Sequence, residues 1–148
     1  MLKKVLNAMP SLQTTLKLDS LVCFLYGVVL VLAAEPIAKL LAPNAPVLFG
    51  LTVSNQLGIL GFGLLVAAIA IYAVASQCPI ARVAVWSIIF LEAIWIIESA
   101  ILLVQADRVL TDSGKWLIAV SAIAVLVFML VEIYGLKGLM LERSVSKS

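Results

Sequence analysis

An all-α fold, a transmembrane four-helix bundle, is what this sequence predicts, and three observations predict it. Hydrophobic residues make up 64% of the 148 residues and charged residues only 12%, against roughly 25% charged in soluble domains. Four long apolar segments follow one another, each long enough or nearly so to cross a hydrocarbon core of about 30 Å at about 1.5 Å per residue. These segments use almost the whole chain, so no room is left for a soluble catalytic domain.

The elements follow in order. Residues 1–17, MLKKVLNAMPSLQTTLK, read as a basic, mildly amphipathic lead that Pro10 interrupts and that rests at the membrane surface. The first span covers residues 18–34, near the lower length limit, which puts Lys17 and Asp19 at the headgroup level. Lys3 and Lys4 before an apolar run that ends VLAAEP also fit a cleaved signal peptide, an alternative that the long region before the run weakens. In the loop EPIAKLLAPNAP, Pro36 suits the first turn of a short helix, with Ile37, Leu40 and Leu41 toward the interface and Lys39 toward water.

The second span covers residues 47–75 and exceeds the bilayer core, so it is expected to tilt or protrude. The very short loop SQCP makes the second and third spans an antiparallel hairpin, the third covering residues 80–104. In QADRVLTDSGK, Asp112 or Ser113 is placed to cap the fourth span, residues 116–134. The transmembrane domain thus occupies residues 18–136, and residues 137–148 form a basic cytoplasmic tail.

Basic residues give the orientation. Lys3, Lys4, Lys17, Arg82, Lys137, Arg143 and Lys147 fall on the side of the termini, and Lys39, Arg108 and Lys115 on the other, seven against three. By the positive-inside rule both termini and the loop at Cys78 are cytoplasmic, while Glu35, Asp107 and Asp112 face outward.

The stretch FLEAIWIIESAILL sets Glu92 and Glu98 inside an apolar run. An ionised carboxylate at mid-membrane costs about 2.5 to 3.5 kcal/mol or more, so a buried Glu is expected to be protonated, paired or hydrated, and no Lys or Arg lies within a span to pair with it. Glu92 is therefore expected to donate a hydrogen bond to a neighbouring carbonyl or amide. Six residues put Glu92 and Glu98 about 120° apart, Glu92 sharing a face with Ser99 and Glu98 with Gln105, so the third span is expected to be covered on two sides. Asn55 and Gln56 enter from the outside at a depth near Glu98, and Trp95, one turn from both acids, is placed to wall a pocket. Glu92, Trp95, Glu98, Asn55 and Gln56 are thus the candidate intramembrane polar site. Gln105, Ser99, Glu132 and Tyr134 are secondary to it, Glu132 being expected to snorkel to the surface beside Tyr134.

Ser54, Gly58, Gly61, Gly63 and Ala67 supply small residues for close helix packing, Ser54 and Gly58 in small-xxx-small spacing. Trp86 and Trp116 sit near span ends as interface anchors. The chain has no histidine, Cys23 and Cys78 make no metal spacing, and no phosphate loop, nucleophile elbow or lipidation signal is present. No catalytic residues, metal, cofactor or nucleic-acid partner is expected.

At LKLDSLVCFLYGVVLVLAAEPIAKLLAP, VWSIIFLEAIWIIESAILL and EIYGLKGL the chain resembles a group of small bacterial integral membrane proteins with four predicted spans and no assigned function. Members of that group open the first span with Asp, close it with a small-Pro step, mark the third with a polar residue followed by Trp, and end the fourth with Tyr-Gly-Leu. Glu92 stands where the group carries Asn. The resemblance implies the four-span topology and a bacterial inner-membrane location.

Three functions fit these features. The first is a non-enzymatic accessory or assembly subunit, or a homo-oligomer, held by intramembrane polar contacts, with the lipid bilayer and a membrane protein as partners. The second is a small proton-linked or cation transporter using Glu92 and Glu98. The third is a protein that binds a lipid-soluble ligand between spans.

Overall fold

The structure, a computed structural model, describes residues 11–44, 47–48, 50–105 and 109–145. The first ten residues of the expected lead, Asp107 and Arg108 of the last loop and the last three residues of the tail lie outside the described residues.

Five helices account for nearly all of it: α1 (Leu12–Leu32), α2 (Ala34–Leu41), α3 (Val53–Ala75), α4 (Arg82–Gln105) and α5 (Asp112–Val145). Four of them, all but α2, are long and apolar enough to cross a membrane. Helix α1 starts six residues earlier than expected because Ser11 caps it, its hydroxyl accepting a hydrogen bond from the Thr14 amide at 3.2 Å. Asp19 consequently lies about 10 Å into the helix rather than at its mouth. Helix α2 carries Pro36 in its first turn, buries Leu41 and exposes a Glu35–Lys39 ion pair of 3.0 Å.

The expected second span loses its first turns to a minimal hairpin. Val47–Leu48 (β1) pairs antiparallel with Leu51–Thr52 (β2), and Gly50 in the turn has φ +82°, a conformation that glycine adopts without a steric cost. Thr52 then caps α3, accepting from the Asn55 amide at 3.3 Å. The cap of α5 is Thr111, one residue ahead of the expected Asp112 or Ser113. Its hydroxyl accepts from the Gly114 amide at 3.0 Å and donates to the Leu40 carbonyl at 2.6 Å. Helix α5 also runs on through Tyr134-Gly135-Leu136 to Val145, so the expected tail is helical over most of its length.

The helices form two antiparallel pairs. Helices α1 and α3 meet along a seam with contacts stepping by seven residues on each: Gln13 Nε2 donates to the Ala75 carbonyl at 2.8 Å, Ser20 Oγ to the Ala68 carbonyl at 2.8 Å, and Gly27 faces Gly61. A seven-residue repeat is the signature of shallow-angle packing, and small side chains allow the close approach. A Cβ added to Gly27 would stand 2.8 Å from the Gly61 carbonyl, and one added to Gly61 would stand 2.9 Å from the Gly27 carbonyl. Ser54 lies one heptad before Gly61, but Gly58 and Gly63 have nothing within 4 Å of an added Cβ, so the small-xxx-small pair is not the seam.

Helix α5 packs on α4, and on α1 through Gly135 against Leu12. Helices α3 and α4, expected to form a close hairpin, barely touch. The spans are therefore ordered α3, α1, α5, α4 in an arc, with a gap between its ends. Apolar cores fill the bundle toward both ends of its helices. Leu12, Leu16, Ile71, Val85, Ile88 and Leu136 belong to one, beside the start of α1, and Leu41, Ala42, Val53 and Leu110 form the other.

Candidate functional site

Between the two cores, the arc encloses a cleft of about 500 Å³ lined by all four spans. Its lining is overwhelmingly aliphatic and aromatic, with Asp19, Glu92 and Glu98 as its acids and no Lys or Arg. The mouth lies at the gap, where Ile59 of α3 and Leu91 of α4 line the cleft yet stay 64% and 60% exposed. Trp95 is on the wall beside both glutamates of α4, its Nε1 buried without a hydrogen-bond partner among the described residues.

The acids converge on one point. Asp19 of α1, Glu92 of α4 and Glu132 of α5 are 3%, 8% and 0% exposed, and one carboxylate oxygen of each lies within 4.8 Å of the others. Helix geometry explains the convergence. Glu132 shares its face with buried Leu136, one turn on, and that face meets α1, where Leu12, Leu16 and Asp19 line up at spacings of four and three. Glu92 shares a face with Val85 and Ser99, one heptad either side, both buried. The expected place of Glu132 at the surface is corrected by this packing, and Asp19 is buried among the helices. Glu132 and Tyr134 are about 160° apart on their helix; Tyr134 is exposed, with Lys137 Nζ 5.9 Å from its ring centre.

Asp19 Oδ1 lies 3.7 Å from Cys23 Sγ, which can donate to it. The remaining five oxygens, Asp19 Oδ2 and both of Glu92 and Glu132, have no hydrogen-bond partner among the described residues. Glu92 thus lacks the carbonyl or amide expected for it and faces two other acids instead. At an effective dielectric of about 20, two full charges at this separation repel by about 3 kcal/mol, and each unsatisfied buried polar group costs about 1 to 3 kcal/mol. Three ionised carboxylates in this place need positive charge from protons or a bound cation. Oxygen-only donor sets of this kind suit protons, ammonium groups and hard cations.

Other expected site residues fall elsewhere. Glu98 is exposed at the mouth of the cleft, so α4 is not covered on that side as the spacing argument expected; Gln105, on the same face, is exposed too. Asn55 and Gln56 sit in the first turn of α3 and do not line the cleft; Gln56 Nε2 donates to the Leu51 carbonyl at 3.4 Å. Of the small residues, Gly63 and Ala67 line the cleft, while Gly61 serves the α1–α3 seam. Asp19 is the member that sequence reasoning missed as a site residue, and Glu132, expected only as secondary to the site and at the surface, is buried within it. The single signal for them was their shared depth near the same end of their spans. Compared with protein-family models, curated proteins and solved structures, the chain matches none.

Proposed function

We propose that this protein is a small proton-linked carrier of the bacterial inner membrane, with Asp19, Glu92 and Glu132 as its exchange site. The observation that carries the reading is the meeting of three buried carboxylates, five of their oxygens unpartnered, at an apolar cleft between the spans. Protons and a positively charged substrate would neutralise the same acids, so each displaces the other, which is the elementary requirement for exchange. Buried ionisable groups that cost stability are retained for function rather than for folding.

An accessory or homo-oligomeric subunit is the weaker reading, because the polar groups turn toward one another inside a single chain and not toward its outer face. The carrier reading puts both termini and the Cys78 loop in the cytoplasm. Seven basic residues against three support this side, and the packing of Gly135 against Leu12 supports only that the start of α1 and the late part of α5 share one end of the bundle.

A lipid-soluble carbodiimide tests the exchange site. It adds to a protonated carboxyl group and, where water is scarce, leaves a stable acylurea on that residue. With the full chain in nanodiscs, peptide mass spectrometry is expected to find the adduct on Glu92 or Glu132, more at acidic than at alkaline pH. Adducts absent from all three acids, or equally abundant at both pH values, would overturn the reading.

A further inference from the structure

We propose that the cleft takes a lipophilic organic cation, a quaternary or protonated ammonium compound with apolar substituents, which reaches it sideways from the bilayer between α3 and α4. The proposal rests on the carrier reading and names the substrate class of that same site.

Charge and surface argue it together. The cleft holds the acids Asp19, Glu92 and Glu98 and no basic side chain, so its occupant is positive. Everything else that the occupant touches is overwhelmingly apolar, and about 500 Å³ suits a small organic molecule. A magnesium ion keeps most of its water shell, for which the aliphatic walls offer no hydrogen-bond partners. Trp95 adds an aromatic face beside Glu92, and an indole is the strongest of the aromatic partners for a cation. The gap between α3 and α4 gives access from the lipid, where a lipophilic cation is already concentrated. The open side matters here, since apolar cores close the bundle at both of its ends.

Protons compete at the same acids. The titratable groups that face the site are Asp19, Cys23 and Tyr26 from α1, Glu92 and Glu98 from α4 and Glu132 from α5, and α3 contributes none. Lowering the pH therefore weakens cation binding.

Tetraphenylphosphonium, a cation whose four phenyl rings shield its charge, is the probe. Its binding to the full chain in nanodiscs of zwitterionic lipid is measured by equilibrium dialysis against empty nanodiscs. One saturable site per chain is expected, weaker at low pH, with triphenylphosphine oxide, a neutral relative, binding at least about tenfold less tightly. Bound phosphonium should also slow formation of the carbodiimide adduct.

Glu92→Gln is expected to weaken phosphonium binding at least about tenfold. Gly63→Leu adds bulk to the cleft wall at a position where an added Cβ has open space around it, changes no charge, and is expected to abolish binding without loss of thermal stability, so the test stands even if Glu92→Gln fails to fold. Neutral and cationic probes binding alike, or a folded Gly63→Leu protein binding as the unchanged protein does, would overturn the proposal. So would manganese binding at the acids with no phosphonium binding, which would make the occupant a hard metal ion. If the pH-dependent adduct forms and phosphonium does not bind, the substrate class falls and the carrier reading stands; loss of both ends both.

Discussion

Glu92 and Glu98, six residues apart on one helix, have opposite surroundings: one is packed against two other acids and the other opens onto the mouth of the cleft. Glu92→Gln removes the repulsion and puts an amide donor beside the carboxylates of Asp19 and Glu132, so it is expected to be as stable as the unchanged protein or more stable by about 1 kcal/mol or more. Glu132→Gln should behave in the same way, whereas Glu98→Gln should stay within about 0.5 kcal/mol. Thermal unfolding in nanodiscs measures all three, and clear destabilisation by the Glu92 or Glu132 change would mean that the acids serve the fold. The sequence made the cost of Glu92 visible, and helical spacing separated it from Glu98. It could not show that Asp19 and Glu132 come to it, because the three residues lie on three helices and helix rotation is set by tertiary packing. Asp19 was further disguised by the cap at Ser11, which moved the helix start and carried the residue inward.

Among the elements, the α1–α3 seam is the most closely specified. Gly27→Ala or Gly61→Ala puts a methyl group against a carbonyl oxygen at under 3 Å, and each is expected to cost about 1 to 3 kcal/mol, as overpacking does. Gly58→Ala enters open space and should change stability by less than about 1 kcal/mol, with any change in the stabilising direction. Comparing the three by thermal unfolding would expose a wrong seam, since Gly58 would then be the sensitive position. Thr111→Ala loses the cap of α5 together with the bond to the Leu40 carbonyl and is expected to cost about 1 to 2 kcal/mol. The spans themselves were legible from hydropathy alone. Their ends were not, because hydrogen bonds from Ser11, Thr52 and Thr111 and the left-handed turn at Gly50 set them, and none of these changes mean hydropathy. The seam was hidden in another way: a repeat of seven across two helices is seen only once the helices are paired.

For the whole molecule, the carrier reading commits to a sidedness that a single residue can report. Cys78 is exposed in the loop between α3 and α4, whereas Cys23 is half-buried. A membrane-impermeant maleimide is expected to label Cys78 in inside-out vesicles and not in intact cells; labelling from the outer side would reverse the orientation. The overall order of helices lay beyond sequence reasoning, which pairs neighbours joined by short loops. Here the six-residue link SQCPIA joins helices that diverge, because α3 is committed to α1 and α4 to α5. That divergence leaves one wall of the cleft to whatever surrounds the protein. In a bilayer, acyl chains stand against that opening, a wall that none of the four spans supplies. A detergent micelle builds a different wall, so a dissociation constant measured there belongs to a different receptor from the one in the membrane.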